Sequence, residues 1–191
     1  MAVIQLTHDP ILNSRAQVLV LPVNTAGILL DPVLARTKTL YVDNYQRYRS
    51  ACREGSLQVG SCLLHKRQHE RAGLAASHNG NQPLYIANLV VSDHPYHTPR
   101  TRWLTAAIID LQQQLIPLIR YHGIRKMAVL TRPLIAPEAL TETSHASVTD
   151  SVTDSALPLD WQHDILPLLT QYLQNLPKLR IELHLPKSID I

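Results

Sequence analysis

The spacing of apolar residues changes along this chain, and those changes predict its elements. Residues 18–23 read Val-Leu-Val-Leu-Pro-Val, an unbroken apolar run of strand length between polar neighbours, the pattern of a strand buried on both faces at a sheet centre. Asp31 followed by Pro32 reads as a helix cap with proline in the first turn, and residues 33–52 keep helical spacing until Gly55 ends them. Strands are expected over 61–65 and 84–91, flanking a polar stretch with Gly73, Asn79, Gly80 and Asn81 that reads as a loop or long hairpin tip. Thr98-Pro99 opens a second helix. Its apolar positions, among them Leu104, Ile108, Leu111, Leu115 and Ile119, recur at three- and four-residue spacing up to Gly123, and Pro117 is expected to kink the last turns.

A strand over 126–131, a third helix over 160–176 capped by Asp160 and kinked at Pro167, and a closing strand over 179–185 complete the pattern. Strands alternating with amphipathic helices predict an α/β fold, a mainly parallel sheet covered on both faces. Residues 138–157, with Ser-Val-Thr-Asp twice in tandem over 147–154, offer little to bury and read as a surface-loop insertion.

Composition narrows the function classes. A length of 191 residues suits one domain, taken as 1–191, whose single core buries roughly 70% of the unfolded surface. The balance of 45% hydrophobic to 17% charged residues excludes wholesale disorder. No apolar run approaches the roughly 18 to 20 residues of a membrane span, and the amino-terminal Met-Ala-Val-Ile-Gln-Leu-Thr-His is too short and polar for a signal peptide. The expected compartment is the cytoplasm, with no membrane partner. Cys52 and Cys62 form no metal-type pair, and the spacings His65 to His69 and His94 to His97 lack the further ligands of a zinc site, so neither metal nor cofactor is expected. A net charge of +3 is too small for a dedicated nucleic-acid binder. Arg47, Arg49, Arg53, Lys66 and Arg67 read as a solvated basic face without aromatic interleaving, which leaves nucleic acid as an open partner class. All six glycines lie at or before Gly123, so no glycine-rich phosphate cradle exists in the last third.

Val23-Asn24-Thr25-Ala26-Gly27 directly follows the expected central strand, where an open α/β sheet places its ligand-binding groups. The competing reading is a strand-ending turn, with Asn24 bonding its own backbone and Gly27 supplying a positive φ. Further along stand Asn44-Tyr45-Gln46-Arg47-Tyr48, Ala51-Cys52, Gly55 and Gly60. Tyr85-Ile86-Ala87-Asn88-Leu89 then leads into His94, followed by Gly123-Ile124-Arg125 and Leu159-Asp160-Trp161. In this order the segments resemble the macrodomain family, in particular its DarG-like members, which remove ADP-ribose from DNA thymidines.

The resemblance implies a three-layer α/β/α macrodomain-like sandwich with a mixed, mainly parallel central sheet, and a cleft at the strand ends for ADP-ribose or an ADP-ribosyl group on a macromolecule. It implies Asn24 beside the distal ribose; His94 and Asp93 stand nearby as acid/base groups, and Asn24 and His94 are the two candidate catalytic residues. It also implies ligand contacts from Asp9 near the adenine, Thr25 and Gly27 in the first loop, Asn88, and Leu134 and Ile135 in the second loop. For His94 the competing reading is a loop histidine bonded to backbone.

The chain departs from the family's pattern in both loops. Leu30-Asp31-Pro32 stands where the family has a glycine-lysine-glycine run, and Arg132-Pro133-Leu134-Ile135-Ala136-Pro137-Glu138 stands where it has glycines that wrap a diphosphate. Ser92 follows Val91 where DarG-like enzymes carry a lysine. These departures favour a diverged macrodomain that binds its ligand without standard hydrolase activity, a pseudoenzyme. Two alternatives stand beside it: an active ADP-ribosyl glycohydrolase using Asn24 and His94, and a protein-interaction scaffold in a bacterial or phage stress or defence system.

Overall fold

The computed structural model describes residues 1–67, 83–135 and 159–189. Its six strands are β1 (Val3–Thr7), β2 (Val18–Asn24), β3 (Cys62–Lys66), β4 (Tyr85–Ser92), β5 (Lys126–Leu130) and β6 (Arg180–His184), joined in one sheet in the order β1-β6-β5-β2-β4-β3. All neighbours are parallel except β3, which runs antiparallel to β4 at the edge. The apolar runs β2 and β4, neighbours within the sheet, are buried throughout, as expected for strands covered on both faces.

Helices α1 (Pro32–Leu40) and α2 (Val42–Arg53) lie over one face, where Leu34, Tyr48 and their neighbours pack on Leu19, Leu21, Ile86 and Val90. On the other face, α3 (Thr101–Tyr121) and α4 (Leu166–Leu173) bury Leu104, Ile108, Leu111 and Leu169 against Val18, Val20, Ala87 and Leu89. The alternation of β2 and β4 thus feeds two separate apolar layers, giving the expected three-layer sandwich.

Three local expectations are revised. The first strand, Val3–Thr7, was not expected; it is a short edge strand whose alternation is too brief to stand out. The single helix expected over 33–52 breaks at Tyr41, which leaves the helical region at φ −128° and ψ 63°. The buried series Leu34, Thr37, Tyr41, Asn44, Tyr48 and Ala51 runs straight through that break at heptad-like spacing, so periodicity carries no sign of it. Pro117 sits inside α3 without ending it. Pro167 is the second residue of α4, directly after a wider π-type turn over Trp161–Ile165 in which the Ile165 N–H donates to the Asp160 carbonyl at 3.0 Å. The expected polar loop around Gly73 to Asn81 and the insertion at 138–157 lie outside the described residues.

Candidate functional site

The site is built where the central strands end. β2 pairs with β5 only from Val18 to Val20, opposite Met127 to Val129, yet β2 continues to Asn24 and β5 to Leu130. The pairing of these two strands therefore stops short of the carboxyl end of β2, and the strand ends are where an open parallel sheet forms a ligand crevice. On its other side β2 stays with β4 to the end, with a register shift between Val23 and Asn24 that sets Asn24 opposite Ser92. Thr25 extends this join: its N–H donates to the Ser92 carbonyl at 3.1 Å and its hydroxyl to the Asp93 carbonyl at 3.1 Å.

Asn24 is buried, and its side-chain amide closes the loop that follows. Nδ2 donates to the Ile28 carbonyl at 2.7 Å, and Oδ1 accepts from the Ile28 N–H at 3.4 Å. This is the turn-closing geometry that competed with a ligand role in the sequence. One Nδ2 hydrogen and one Oδ1 lone pair remain uncommitted by these bonds. The main chain of Asn24 is held from behind, because the Tyr48 hydroxyl donates to its carbonyl at 2.5 Å and the Cys52 thiol lies 3.8 Å from the same oxygen. Burial raises the Tyr48 pKa, so the phenol keeps its proton and remains a donor. Gly27 holds φ at +75°, and a Cβ there would lie 3.5 Å from the Cys52 Cβ, so the loop is seated on α2.

His94 follows β4 and is half-buried. Its Nδ1 accepts from the Tyr96 N–H at 3.4 Å, the backbone-bonding role, and its ring stands beside those of Tyr96 and His97. His97 bonds the Asp93 carboxylate at 2.8 Å, and that hydrogen bond holds Asp93 below the ordinary carboxylate range. Asp9 is exposed at the end of β1. Its N–H donates to the Thr7 hydroxyl, and its carbonyl lies 2.7 Å from the ring Nδ1 of the buried His184.

Three implied ligand residues have their side chains turned to other duties. Asn88 is 1% exposed: its Nδ2 donates to Asn44 Oδ1 at 2.8 Å and the Leu63 carbonyl at 3.1 Å, and it accepts from Asn44 Nδ2 at 3.2 Å. It ties α2 to β4 and β3. Leu134 and Ile135 are core residues on the α3 and α4 face. The family resemblance that nominated them is blind to which side of the backbone faces the interior.

Sequence reasoning also passed over three residues. Tyr48 and Asn44 were read only as parts of a segment, although their heptad-like spacing with Leu34 and Ala51 marks them as facing the sheet. Arg132 lies just past β5, with its Nε 3.3 Å from Asp31 Oδ2, while Asp31 Oδ1 caps α1 through the Val33 and Leu34 N–H groups. The pair links the loop after β2 to the turn after β5. No spacing in the chain announces an ion pair between residues so far apart.

No family model matches the chain. A Thermus aquaticus DNA ADP-ribosyl glycohydrolase is 29% identical over 124 residues, which cover 65% of this chain and 30% of that protein. The match thus spans under a third of that curated relative. Among solved structures, the macrodomain of Mycobacterium tuberculosis DarG superposes with a TM-score of 0.70 at 19% identity, covering 98% of this chain and 100% of that one. The macrodomain of Thermus aquaticus DarG gives 0.67 at 20% identity, covering 97% and 100%. Thermosipho africanus DarTG in complex with ADP-ribose gives 0.67 at 18% identity, covering 98% of this chain and 43% of that one. The fold is that of a macrodomain. The solved structures on which it superposes over nearly its whole length include two DarG macrodomains.

Proposed function

We propose that this chain binds ADP-ribose, or an ADP-ribosyl group carried on a macromolecule such as DNA, and does so without the hydrolytic equipment of the enzymes it resembles. The observation that carries the reading is the end of the β2–β5 pairing at Val20 and Val129, short of Asn24, with the Asp31–Arg132 pair joining the segments that follow the two strands. Asn24 keeps an amide hydrogen and a lone pair, enough to meet a ribose hydroxyl from both sides. Arg132, partly exposed, is a cation beside this crevice, and a guanidinium can serve a diphosphate where glycine N–H groups are missing. ADP-ribose bound to a Thermosipho protein of like fold supports the choice of ligand.

The chemistry at the end of β4 supports a reading without hydrolysis. Ser92 is buried opposite Asn24, and a neutral hydroxyl without an adjacent base is neither an activated nucleophile nor a charge beside the ribose carbon. The test is incubation with an ADP-ribosylated single-stranded DNA oligonucleotide, followed on a gel. A retained mark on DNA that comigrates with the protein is expected.

The second reading, an active glycohydrolase, is favoured by His94 beside the Asp93–His97 pair at the end of β4 and by the activity named for the Thermus aquaticus relative. Release of the mark that is lost in both Asn24→Ala and His94→Ala would establish it in place of the first.

A further inference from the structure

The loop that Asn24 closes is one wall of a pocket of about 630 Å³ whose other wall is the outer face of α2. Tyr45, Arg49 and Arg53 are spaced four residues apart, so they stack along that face, and Lys38 of α1 reaches over the Tyr45 ring at 5.1 Å from its centroid. Among the described residues no carboxylate lines the pocket, and Lys38, Arg49 and Arg53 form no ion pair. The loop side is apolar, with Ile28 and Leu30 exposed at 46% and 51%.

This differs from the basic set that the sequence suggested. Arg67 lies 3.7 Å from Asp43 and over the Tyr41 ring, away from this face. Lys38 takes its place, and Tyr45 supplies the aromatic interleaving that the linear order had hidden.

We infer that the α2 face is a docking track for the phosphodiester backbone of single-stranded nucleic acid, with Lys38, Arg49 and Arg53 on phosphates and Tyr45, Ile28 and Leu30 toward a base. Three unpaired cations in a row, with a π face and apolar side chains between them, match a strand that alternates charge with flat apolar surface. An acidic peptide offers the charge alone. The track adjoins the candidate site, since Gly27 is seated on Cys52 and Tyr48 of the same helix bonds the Asn24 carbonyl. It deepens the proposed function and rests on it only in its purpose: a strand bearing an ADP-ribosyl group would be held beside the crevice that takes the modification.

The test uses an unmodified, fluorescently tagged oligothymidylate and follows anisotropy as salt is raised, for the natural chain and for the Arg49→Glu/Arg53→Glu variant. Both residues are exposed, so the variant should melt with the natural chain. Each phosphate contact on a single strand contributes about 0.7 to the salt slope, so losing two lowers the slope by about 1.4. If both proteins bind alike near molar salt, that is a loss of about 25-fold at a tenth of that concentration. Titration with free ADP-ribose should be unchanged in the variant. Because the probe carries no ADP-ribose, failure of the ADP-ribose reading leaves this result standing, and the reverse also holds. An unchanged affinity and slope in the variant would overturn the inference, as would no strand binding at low salt or equal displacement by polyglutamate.

Discussion

The Asn44–Asn88 pair separates a structural role from a ligand role at a position that the family resemblance nominated for binding. Both residues are buried, and they exchange two amide hydrogen bonds, with a third from Asn88 to the Leu63 carbonyl. A buried hydrogen bond contributes about 1 kcal/mol, and a stranded polar partner costs about 1 to 3 kcal/mol. Asn44→Ala should therefore destabilise by about 2 to 3 kcal/mol, a fall in melting temperature of about 5 to 10 °C for a chain of this size. Asn88→Ala should cost about 3 kcal/mol, because the Leu63 contact goes as well. The double variant loses the shared bonds only once and strands neither amide, so its cost should fall short of the sum by about 2 kcal/mol. Urea denaturation followed by tryptophan fluorescence measures all four corners of the cycle. Costs that add to within about 0.5 kcal/mol would refute the reasoning, as would an Asn88→Ala protein of natural stability that no longer binds ADP-ribose.

Tyr48→Phe removes the hydroxyl that holds the Asn24 carbonyl and should cost about 1 to 2 kcal/mol in thermal denaturation. Arg132→Ala should weaken ADP-ribose binding about tenfold in calorimetry, the loss of one charge-assisted hydrogen bond, and affinity equal to the natural chain would remove Arg132 from the site. Burial pushes the Glu182 carboxyl up, but hydrogen bonds from Lys126 and Ser14 outweigh it, leaving the pKa below its ordinary value. A carboxyl held low in the folded state contributes stability that is present above its unfolded pKa and lost as the pH falls through its folded pKa. Glu182→Gln should therefore flatten the decline of melting temperature in acid below about pH 4.5, and an unaltered acid slope would contradict that assignment.

The fold was legible because its signals were strong and local. The apolar runs of β2 and β4, the Asp31-Pro32 cap and the stripe of α3 each fix an element within a few residues. The break at Tyr41 was not, since the buried series continues across it and only the backbone turns. At the site, the sequence located Asn24, Thr25 and Gly27 correctly at a strand end. It offered two uses for the Asn24 amide, and the loop-closing bonds to Ile28 are the ones formed. Asn88 lies in the middle of β4 and Leu134 and Ile135 follow β5, and position in the chain does not say whether a side chain meets solvent or core. Arg132 with Asp31 is a union of distant segments, and Lys38 with Tyr45 is a contact across the break at Tyr41; only the folded chain shows either.

Calorimetric titration of the natural chain and of Asn24→Ala with ADP-ribose bears most directly on the account. Saturable one-site binding that weakens at least tenfold in the variant is expected, with melting curves showing that both proteins stay folded. Heats no larger than dilution at millimolar ADP-ribose, or equal affinity in the two proteins, would contradict it.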